Sequence, residues 1–344
     1  MKTVLLTGAS GYIGKHITLA LLNQGYNVRA SVRSLSKTDE VRNAVRPHLL
    51  DSSNLDTRLC FVELDLEKDS GWAQALEGID VLMHTASPFP IASPKDEYDL
   101  IRPAVEGTLR ALIAAHSAGV KRVILTSSVA AIYGCELPKG VAAYDETMWT
   151  DVTHPIGRTA YTKSKTLAEK AAWDFIKTQS PEMALTTINP VLVLGAPLDN
   201  NFGSSISVVE RVLRGKDPML PDLNFSIVDV KDVAQMHVQS IAIDAAKGER
   251  FLASSATWSF VDIAKFLKGL YPASKIKSGK APAFLVNFLA LFDGDIKAIL
   301  PMLGKPMISS GAKAERLLGI KFIPAEVSVR ESADYLIKNG FIKN

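Results

Sequence analysis

The chain has 344 residues, of which 47% are apolar and 22% charged, and its formal net charge is +3. These values are typical of a globular protein with one large domain or two moderate ones, and the charge is too small to indicate a nucleic-acid partner. Two cysteines, Cys60 and Cys135, form neither a disulfide framework nor a metal-binding spacing, and we interpret both as small buried apolar residues. The longest apolar stretch, 281–292, has twelve residues and is too short to span a bilayer. We therefore predict a cytoplasmic protein.

The first residues of the chain carry a glycine-rich turn between a strand and a helix. The apolar run at 4–6 predicts a strand buried on both faces, and residues 16–22 have the helical spacing of apolar side chains. Between them Gly8 permits a sharp turn, Gly11 lets the backbone approach a pyrophosphate, and Gly14 lets the helix pack close to the strand. Together with the helix N-terminus, this arrangement predicts a dinucleotide-binding site; the alternative is a purely structural turn.

The end of the predicted second strand carries basic residues instead of an acid. An acid at that position would accept hydrogen bonds from a ribose 2′-hydroxyl and favour NAD. The strand at 26–32 is instead followed by Arg33 and Lys37, and no acid occurs before Asp39. Both basic side chains can pair with a 2′-phosphate, Arg33 as a planar donor of several hydrogen bonds. We therefore predict NADP as the cofactor; the alternative is that both residues are simply solvated on a loop.

Two further predicted strands end in residues that could meet the cofactor. The strand at 59–66 ends in Asp65 and Leu66. Either Asp65 accepts a hydrogen bond from the adenine amino group while Leu66 packs on the ring, or Asp65 caps the next helix. The strand at 80–87 ends in three small residues, Thr85, Ala86 and Ser87. Because ligands of open parallel sheets lie beyond the carboxyl ends of the strands, we place these three near the centre of the cofactor.

Helix and strand alternate regularly over the first part of the chain. Further strands are predicted at 122–128 and 185–194, each preceded by a helix, and Pro190 restricts the backbone inside the second. The alternation predicts an α/β fold with a doubly wound parallel sheet. After residue 195 the regular alternation stops, and mostly helical segments follow. We expect these to form a smaller C-terminal lobe that covers the far side of the cofactor cleft.

The predicted domain boundaries follow from this change of pattern. We assign 1–195, with 225–253 returning to it, to a dinucleotide-binding domain. We assign 196–224 and 254–344 to a mostly helical substrate-binding lobe. The apolar stretch 281–292 is predicted to be a buried helix; a wall of the substrate cleft or a subunit contact are the alternatives.

Three residues have the chemistry of a carbonyl-reducing site. Tyr161 and Lys165 lie four apart on a predicted helix and so project from one face. A tyrosine hydroxyl has an unperturbed pKa near about 10, and a nearby ammonium group would lower that pKa. Ser128, at the end of the fifth strand, could hold a substrate oxygen next to the tyrosine while Tyr161 protonates it. Ser127 should face away because residues alternate along a strand, although a shift by one residue stays open.

Several segments together match the motif pattern of a known enzyme family. They are Thr-Gly-Ala-Ser-Gly-Tyr-Ile-Gly at 7–14, Arg33, Asp65-Leu66, Thr-Ser-Ser at 126–128, Tyr-Asp-Glu-Thr-Met-Trp at 144–149, the Tyr-x-x-x-Lys helix at 161–173 and Asp-Val-Lys-Asp-Val-Ala at 229–234. With these motifs the chain resembles the extended short-chain dehydrogenases/reductases. Within them it is similar to the dihydroflavonol reductase-like branch, which includes aldehyde and ketone reductases. The resemblance is good from residue 1 to about 255 and fades afterwards.

This resemblance implies a Rossmann-type fold and the NADPH-dependent, reversible reduction of an aldehyde or ketone to an alcohol. It implies that Ser128, Tyr161 and Lys165 are the catalytic residues, that Arg33 contacts the 2′-phosphate and that the segment around Pro190 lines the nicotinamide pocket. With these assignments, the further residues predicted to bind the cofactor are Gly8, Ser10, Gly11, Tyr12, Ile13, Gly14, Lys37, Asp65, Leu66, Thr85, Ala86, Ser87, Thr126 and Val191.

The substrate is predicted to be a small carbonyl compound with an aryl or alkyl group. The aromatic residues that suggest an apolar pocket are Phe89, Tyr133, Tyr144, Phe202 and Phe284. We expect a monomer or homodimer with no metal, nucleic-acid or membrane partner.

Two other functions compete with carbonyl reduction. A sugar-nucleotide epimerase or dehydratase can use the same extended fold, but such dehydratases carry Asp-Glu after the active-site hydroxyl, where this chain has Val129 and Ala130. A non-catalytic NADP sensor tends to lose the tyrosine or the lysine, and both are present here.

Overall fold

The computed structural model describes residues 1–88 and 96–342, apart from the side chain of Asp295. The strands are β1 (Thr3–Thr7), β2 (Asn27–Val32), β3 (Leu59–Glu63), β4 (Val81–His84), β5 (Arg122–Thr126), β6 (Ala184–Pro190), β7 (Leu192–Leu194), β8 (Asn224–Asp229), β9 (Glu249–Ala253) and β10 (Ala256–Ser259). The α-helices are α1 (Tyr12–Asn23), α2 (Thr38–Val45), α3 (Leu55–Arg58), α4 (Trp72–Leu76), α5 (Tyr98–Ser117), α6 (Ala160–Gln179), α7 (Ile206–Arg214), α8 (Val230–Ala242), α9 (Phe260–Leu270), α10 (Ala283–Leu289), α11 (Gly294–Ile299), α12 (Ala312–Leu318) and α13 (Ala325–Lys338).

The main sheet has seven described strands in the order β3-β2-β1-β4-β5-β6-β9. Every neighbouring pair in it runs parallel. The strand order reverses between β1 and β4, and ligands of such sheets bind beyond the carboxyl ends of the strands at that point. The predicted doubly wound parallel sheet is therefore confirmed.

Alternate residues of each central strand enter two cores on opposite faces of the main sheet. On β1, Val4 and Leu6 join one core and Leu5 joins the other, and all three are fully buried. The core around Leu5 also contains Leu112 of α5 and Phe175 of α6. The core around Val4 and Leu6 continues into the C-terminal part of the chain. Burial on both faces explains why the central strands are uninterrupted apolar runs.

The chain leaves the main sheet at Pro190, so the predicted single strand at 185–194 is wrong. β6 ends at Pro190, and after Val191 the chain continues as β7 in a second sheet of order β10-β8-β7. Proline has no backbone N–H to donate to a sheet ladder, and one more bond, from the Val191 N–H to the Ala253 carbonyl oxygen at 3.3 Å, precedes the departure of the chain from the sheet. The segment at 225–253 does not return to the main sheet as a whole, because β8 pairs with β7 and β10 while only β9 pairs with β6. Of the second sheet, only β10 lies wholly in the segments assigned to the lobe, and the domain boundaries stay a prediction.

Two predictions of burial are wrong. Cys60 is exposed and Cys135 only partly buried. Cys60 lies on β3, an edge strand, where alternate side chains face solvent. The stretch 281–292 is also not a buried helix: Phe284 and Phe292 are 76% and 78% exposed, and in α10 itself only Val286 is buried. The apolar residues of α10 are distributed around the helix, while one side of it packs against the protein.

Candidate active site

The glycine turn between β1 and α1 has the close backbone contacts that a dinucleotide-binding turn requires. Gly8 has a φ of +71°, and a β-carbon there would approach the backbone N of Ala86 to 2.8 Å. A β-carbon on Gly14 would lie 2.2 Å from the carbonyl oxygen of Gly8. Gly11 precedes α1 and offers no side-chain cap, so the first N–H groups of the helix keep their capacity to bind an anion. Among the neighbouring residues predicted to contact the cofactor, Ser10 and Ile13 are partly buried.

Tyr12 is part of the protein core. Its side chain is only 8% exposed, and its hydroxyl donates to the carbonyl oxygen of Gly195 at 3.0 Å. Burial raises the pKa of this hydroxyl well above its ordinary value. A cofactor contact from Tyr12 is therefore left to its backbone N–H in the first turn of α1.

Thr7 connects the glycine turn to the loop after β4. Its hydroxyl oxygen accepts hydrogen bonds from the backbone N–H groups of Thr85 and Ala86, each at 3.0 Å, and lies 2.9 Å from Nδ1 of His84. The Thr85 hydroxyl is 3.2 Å from that of Thr126 at the end of β5. The structure thus brings the predicted residues of three neighbouring strands together at one edge of the sheet, with Ser87 partly buried beside them. Burial lowers the pKa of His84 to about 4, so this wall residue is neutral.

The basic residues after β2 differ in their partners. Lys37 ion-pairs with Glu40, with Nζ 2.8 Å from Oε2. Arg33 is exposed, and no described acidic side chain lies within ion-pair distance of it. Asp65 accepts from the N–H of Glu67 at 3.1 Å, which lowers the pKa of the Asp65 carboxyl.

Asp65, after β3, was expected either to contact adenine or to cap the next helix. The residue before α4 is Gly71, so the prediction that Asp65 caps that helix is wrong. Leu66 packs against Gly107 of α5, where a β-carbon would approach the Leu66 Cβ to 3.0 Å. Contact of Asp65 and Leu66 with adenine stays a prediction.

Sequence reasoning missed a buried lysine behind the glycine turn. Lys15 is 1% exposed and ion-pairs with both Asp199 and Glu40, the latter at 2.8 Å. The Asn201 side chain donates to Glu40 Oε1 at 2.9 Å and to the carbonyl oxygen of Ser10 at 3.2 Å. These contacts hold the loop after β7 against the glycine turn. The sequence does show a lysine directly after the third glycine. It does not show the ion pairs of that lysine, because both acidic partners are distant in the chain.

Ser128 and Tyr161 meet beyond the carboxyl end of β5. Ser128 caps a short 3-10 helix at Val129–Ala131, where its hydroxyl accepts from the N–H of Ala130 at 3.2 Å. Tyr161 is the second residue of α6, whose start is fixed by the Thr159 hydroxyl, which accepts from the N–H of Thr162 at 3.1 Å. The Tyr161 hydroxyl donates to Ser128 Oγ at 3.4 Å.

The neighbouring hydroxyl and the lysine complete this arrangement. Ser127 Oγ instead donates to Glu169, so of the two serines Ser128 is the one that faces Tyr161. Lys165 Nζ lies over the Tyr161 ring, 5.9 Å from its centroid. Burial lowers the pKa of Lys165 to about 8. Burial also raises the pKa of Tyr161, and the hydrogen bond to Ser128 opposes this only in part. The lowered tyrosine pKa expected from the sequence is therefore not found in the protein alone, because desolvation of the phenolate dominates.

A cavity of about 730 Å³ opens beside this pair of hydroxyls. Its walls are mostly apolar and come largely from the C-terminal lobe. Besides Ser128 and Tyr161, lining residues include Tyr133, Val191, Val208, Phe225, Leu285 and Leu289. Pro190 is buried where β6 ends, directly before Val191.

Of the predicted substrate residues, Tyr133 lies at the cavity and three others do not. Tyr144 is buried and donates to the carbonyl oxygen of Cys135 at 3.0 Å. Phe202 packs edge-on against Phe341, 5.0 Å between ring centroids. Phe284 points to solvent, and Phe89 lies outside the described residues.

The cavity-lining residues of α10 were missed. Leu285, Val286 and Leu289 of that helix line the cavity, with Val286 buried and Leu289 still 42% exposed. The spacing of four residues between Leu285 and Leu289 indicates one face of a helix. Because the whole stretch around them is apolar, the sequence did not show which face lines a cavity. These residues agree with the alternative expectation that the stretch 281–292 contributes a wall of the substrate cleft.

Residues 1–88 and 96–342 contain no group of three or more His, Cys, Asp or Glu side chains arranged to hold a metal ion. None of the helices in these ranges has the length and apolar character needed to cross a membrane.

The fold and the site define a Rossmann-type dinucleotide-binding protein with a serine, a tyrosine and a lysine at one end of its sheet. The model of the NAD dependent epimerase/dehydratase family matches residues 4–253. The chain belongs to this family, the extended short-chain dehydrogenases/reductases, and the predicted resemblance is confirmed.

The relatives match over the whole chain, including the lobe where the motifs fade. Cinnamoyl-CoA reductase CAD2 of Medicago truncatula is 31% identical over 343 residues, 99% of this chain and 97% of the relative. The putative NADPH-dependent methylglyoxal reductase GRP2 of Candida albicans is 29% identical, covering 97% and 98%. The crystal structure of yeast methylglyoxal/isovaleraldehyde reductase Gre2 complexed with NADPH has a TM-score of 0.80 at 27% identity, covering 99% of this chain and 100% of that one. A Thermotoga maritima UDP-glucose 4-epimerase, at 20% identity and a TM-score of 0.73, shares the fold.

Proposed function

We propose that this protein reduces the carbonyl group of a ketone or aldehyde to an alcohol, reversibly, with NADPH as the hydride donor. The observation that carries the proposal is the hydrogen-bonded pair of Tyr161 and Ser128 at the wall of a mostly apolar cavity. Similarity to reductases whose names include NADPH supports it. A cytoplasmic location and a monomeric or homodimeric state, both expected from the sequence, belong to the same proposal.

The glycine turn and Arg33 fit NADPH. The contacts at Gly8 and Gly14 leave no room for side chains, so the turn presents bare backbone at the N-terminus of α1. Backbone N–H groups in that position bind a pyrophosphate. Arg33, exposed at the end of β2, is suited to a 2′-phosphate because its guanidinium donates several hydrogen bonds. When bound, NADPH supplies the hydride for the carbonyl carbon.

Tyr161 is the proton donor in the proposed reaction. With its pKa above the ordinary tyrosine value of about 10, the phenol is protonated at neutral pH and has a proton to donate. A substrate oxygen that contacts both hydroxyls accepts a hydrogen bond from Ser128 and the proton from Tyr161. The ammonium of Lys165, close to the ring, stabilises the phenolate that remains. In the reverse direction the same phenolate accepts the proton of the alcohol.

The cavity favours uncharged substrates with an apolar aryl or alkyl group. Its walls include aromatic and aliphatic side chains such as Phe225 and Leu285. Arg211, also at the wall, is ion-paired through Nε and Nη2 with the two oxygens of Asp217 at 2.6 and 2.9 Å. Asp217 therefore compensates much of its positive charge, which weakens its attraction for an anionic substrate. Desolvating such an anion against apolar walls is costly.

NADPH oxidation with a small panel of compounds tests the proposal. We expect turnover with isovaleraldehyde and with an uncharged aryl ketone, and much slower turnover with the anionic keto acid phenylpyruvate. Saturable NADPH binding without oxidation by any carbonyl would instead support the sensor. Interconversion of UDP-glucose and UDP-galactose without net NADPH consumption would support the epimerase.

A further inference from the structure

A buried carboxylate lies behind the pair of Ser128 and Tyr161. Glu169 is on α6, four residues after Lys165 and eight after Tyr161, and so on the same side of the helix. Its side chain is 0% exposed. A buried charge is tolerated only when it is paired and its oxygens accept hydrogen bonds. The donors to this carboxylate therefore show which parts of the protein it joins.

The two oxygens of this carboxylate serve different neighbours. Oε1 accepts hydrogen bonds from Arg250 Nε at 2.7 Å, Thr187 Oγ1 at 3.0 Å and Trp173 Nε1 at 3.3 Å. Oε2 accepts from Ser127 Oγ at 2.5 Å and Asn189 Nδ2 at 2.7 Å. Oε1 thus carries the ion pair, whereas Oε2 is bound to the ends of β5 and β6.

Oε2 is connected to Ser128 through Asn189. The same Nδ2 donates to the backbone carbonyl oxygen of Ser128 at 3.1 Å, because an amide nitrogen carries two hydrogens. The backbone N–H of Ser127 donates to the carbonyl oxygen of Ile188 at 2.8 Å. The Ser127 N–H, the Ser127 hydroxyl and the Ser128 carbonyl group therefore attach this segment to β6 and α6 at three places, besides the bonds that Ser128 accepts from the N–H groups of Ala130 and Ala131. Two of these three attachments depend on Glu169.

We propose that Glu169 is a positioning residue that sets the distance between Ser128 and Tyr161. It lies on the helix of Tyr161 and binds the strand end of Ser128, so one carboxylate joins the two elements that carry the reacting hydroxyls. The inference rests on the proposed function, because this distance matters if both hydroxyls contact one substrate oxygen. Misplacement of reacting groups by about 1 Å can cost on the order of 100-fold in rate.

Two variants that keep the ion pair with Arg250 form a matched test. Ser127→Ala and Trp173→Phe each remove one uncharged donor from Glu169, the first from Oε2 and the second from Oε1. With isovaleraldehyde and saturating NADPH, we expect Ser127→Ala to lower kcat about tenfold or more. Its KM for NADPH should stay near the parent value, and Ser127→Thr, which keeps a hydroxyl, should recover part of the loss. Trp173→Phe should retain the parent kcat. An unchanged kcat in Ser127→Ala, or an equal loss in Trp173→Phe, would overturn the proposal.

A second measurement does not depend on activity. Asn189→Ala removes the donor that joins Glu169 to the Ser128 carbonyl group and leaves Arg250 paired. Crystal structures of this variant and the parent should show Ser128 displaced relative to Tyr161. An unmoved Ser128 contradicts the proposal whatever the kinetics. If none of the carbonyl compounds supports NADPH oxidation by the parent protein, the proposed function is wrong. The comparison of the two crystal structures still decides whether Glu169 positions Ser128.

Discussion

The hydroxyl oxygens of Tyr161 and Ser128 lie 3.4 Å apart, although 33 residues separate them in the chain. One comes from the first turn of α6 and the other from the loop after β5. Their approach is produced by the packing of that helix beside that strand end, and it places a proton donor and a second hydroxyl at one wall of the cavity. The predicted chemistry depends on this relationship.

Tyr161→Phe should abolish turnover and leave NADPH binding nearly intact. The variant keeps the ring but removes the proton donor, and general acid catalysis contributes about 10²- to 10⁴-fold. Steady-state NADPH oxidation and fluorescence titration with NADPH measure the two effects. Tyr144→Phe is the control, because the Tyr144 hydroxyl donates to Cys135 away from the cavity. Parent-like rates in Tyr161→Phe would exclude the mechanism.

Arg33→Ala should raise the KM for NADPH far more than the KM for NADH. The 2′-phosphate is the difference between these cofactors, and a charged hydrogen bond contributes about 1.5–3 kcal/mol, or roughly 10- to 150-fold. Lys37→Ala should have a smaller effect because Lys37 already pairs with Glu40. Kinetics with both cofactors test this. Equal changes for NADPH and NADH in Arg33→Ala would remove the argument for NADP.

Gly14→Ala should weaken NADPH binding and destabilise the protein by about 2–3 kcal/mol. The added β-carbon would lie 2.2 Å from the Gly8 carbonyl oxygen, so backbone must move within the cofactor turn. Gly269→Ala in α9 is the matched control because nothing lies within 4 Å of its β-carbon position. That variant should be stabilised by up to about 1 kcal/mol. Thermal unfolding and NADPH titration measure both variants, and a Gly14→Ala protein as stable as the control would show that the turn tolerates a β-carbon.

Glu40 should make stability fall in acid. Burial disfavours its charged form, but hydrogen bonds from Lys15, Lys37 and Asn201 outweigh burial and lower the pKa of Glu40 from 4.5 to about 2. A depressed carboxyl pKa adds stability that is fully present above about pH 4.5 and is lost as pH falls toward 2. Over this window the unfolding temperature of the parent should fall more steeply than that of Glu40→Gln. Parallel curves for the two proteins would show that Glu40 does not contribute.

Leu285→Ala should raise the KM for a bulky aryl ketone about tenfold and change that for isovaleraldehyde less, because a lost apolar contact costs about 1–3 kcal/mol. Phe284→Ala is the control from the adjacent position: Phe284 is 76% exposed and lies away from the cavity. Kinetics with the two substrates measure the difference. A larger effect in Phe284→Ala would reverse the assignment of the two residues.

The sheet and the site at its edge could be predicted because their signals are local. Gly8 and Gly14 stand in a strand–turn–helix segment, and Tyr161 and Lys165 share one helical face. Each pattern follows from the geometry of a single element. The end of β6 could not be placed in the same way, because Pro190 restricts the backbone without showing that the next residues join another sheet.

The substrate cavity could not be predicted because its walls come from elements distant in the chain. Tyr144 and Phe202 have the residue type of pocket walls, but each has an interior partner, Cys135 for the first and Phe341 for the second. The ion pairs of Lys15 were missed for a similar reason, since Asp199 is 184 residues away. Such contacts form only in the folded protein and produce no regular spacing of residues in the sequence.

The passage of the chain from the main sheet to the second sheet at Pro190 has a consequence for how the protein unfolds. Within the described residues the chain also passes directly from β8 into α8, and it passes from β9 of the main sheet to β10 of the second across residues 254–255. No exposed linker therefore separates the two sheets at these points. The strands of the two sheets are interleaved along the chain, so neither sheet can be removed as one continuous segment. The two sheets should therefore unfold in a single cooperative transition. A substitution that destabilises the substrate-binding part should then also reduce cofactor binding.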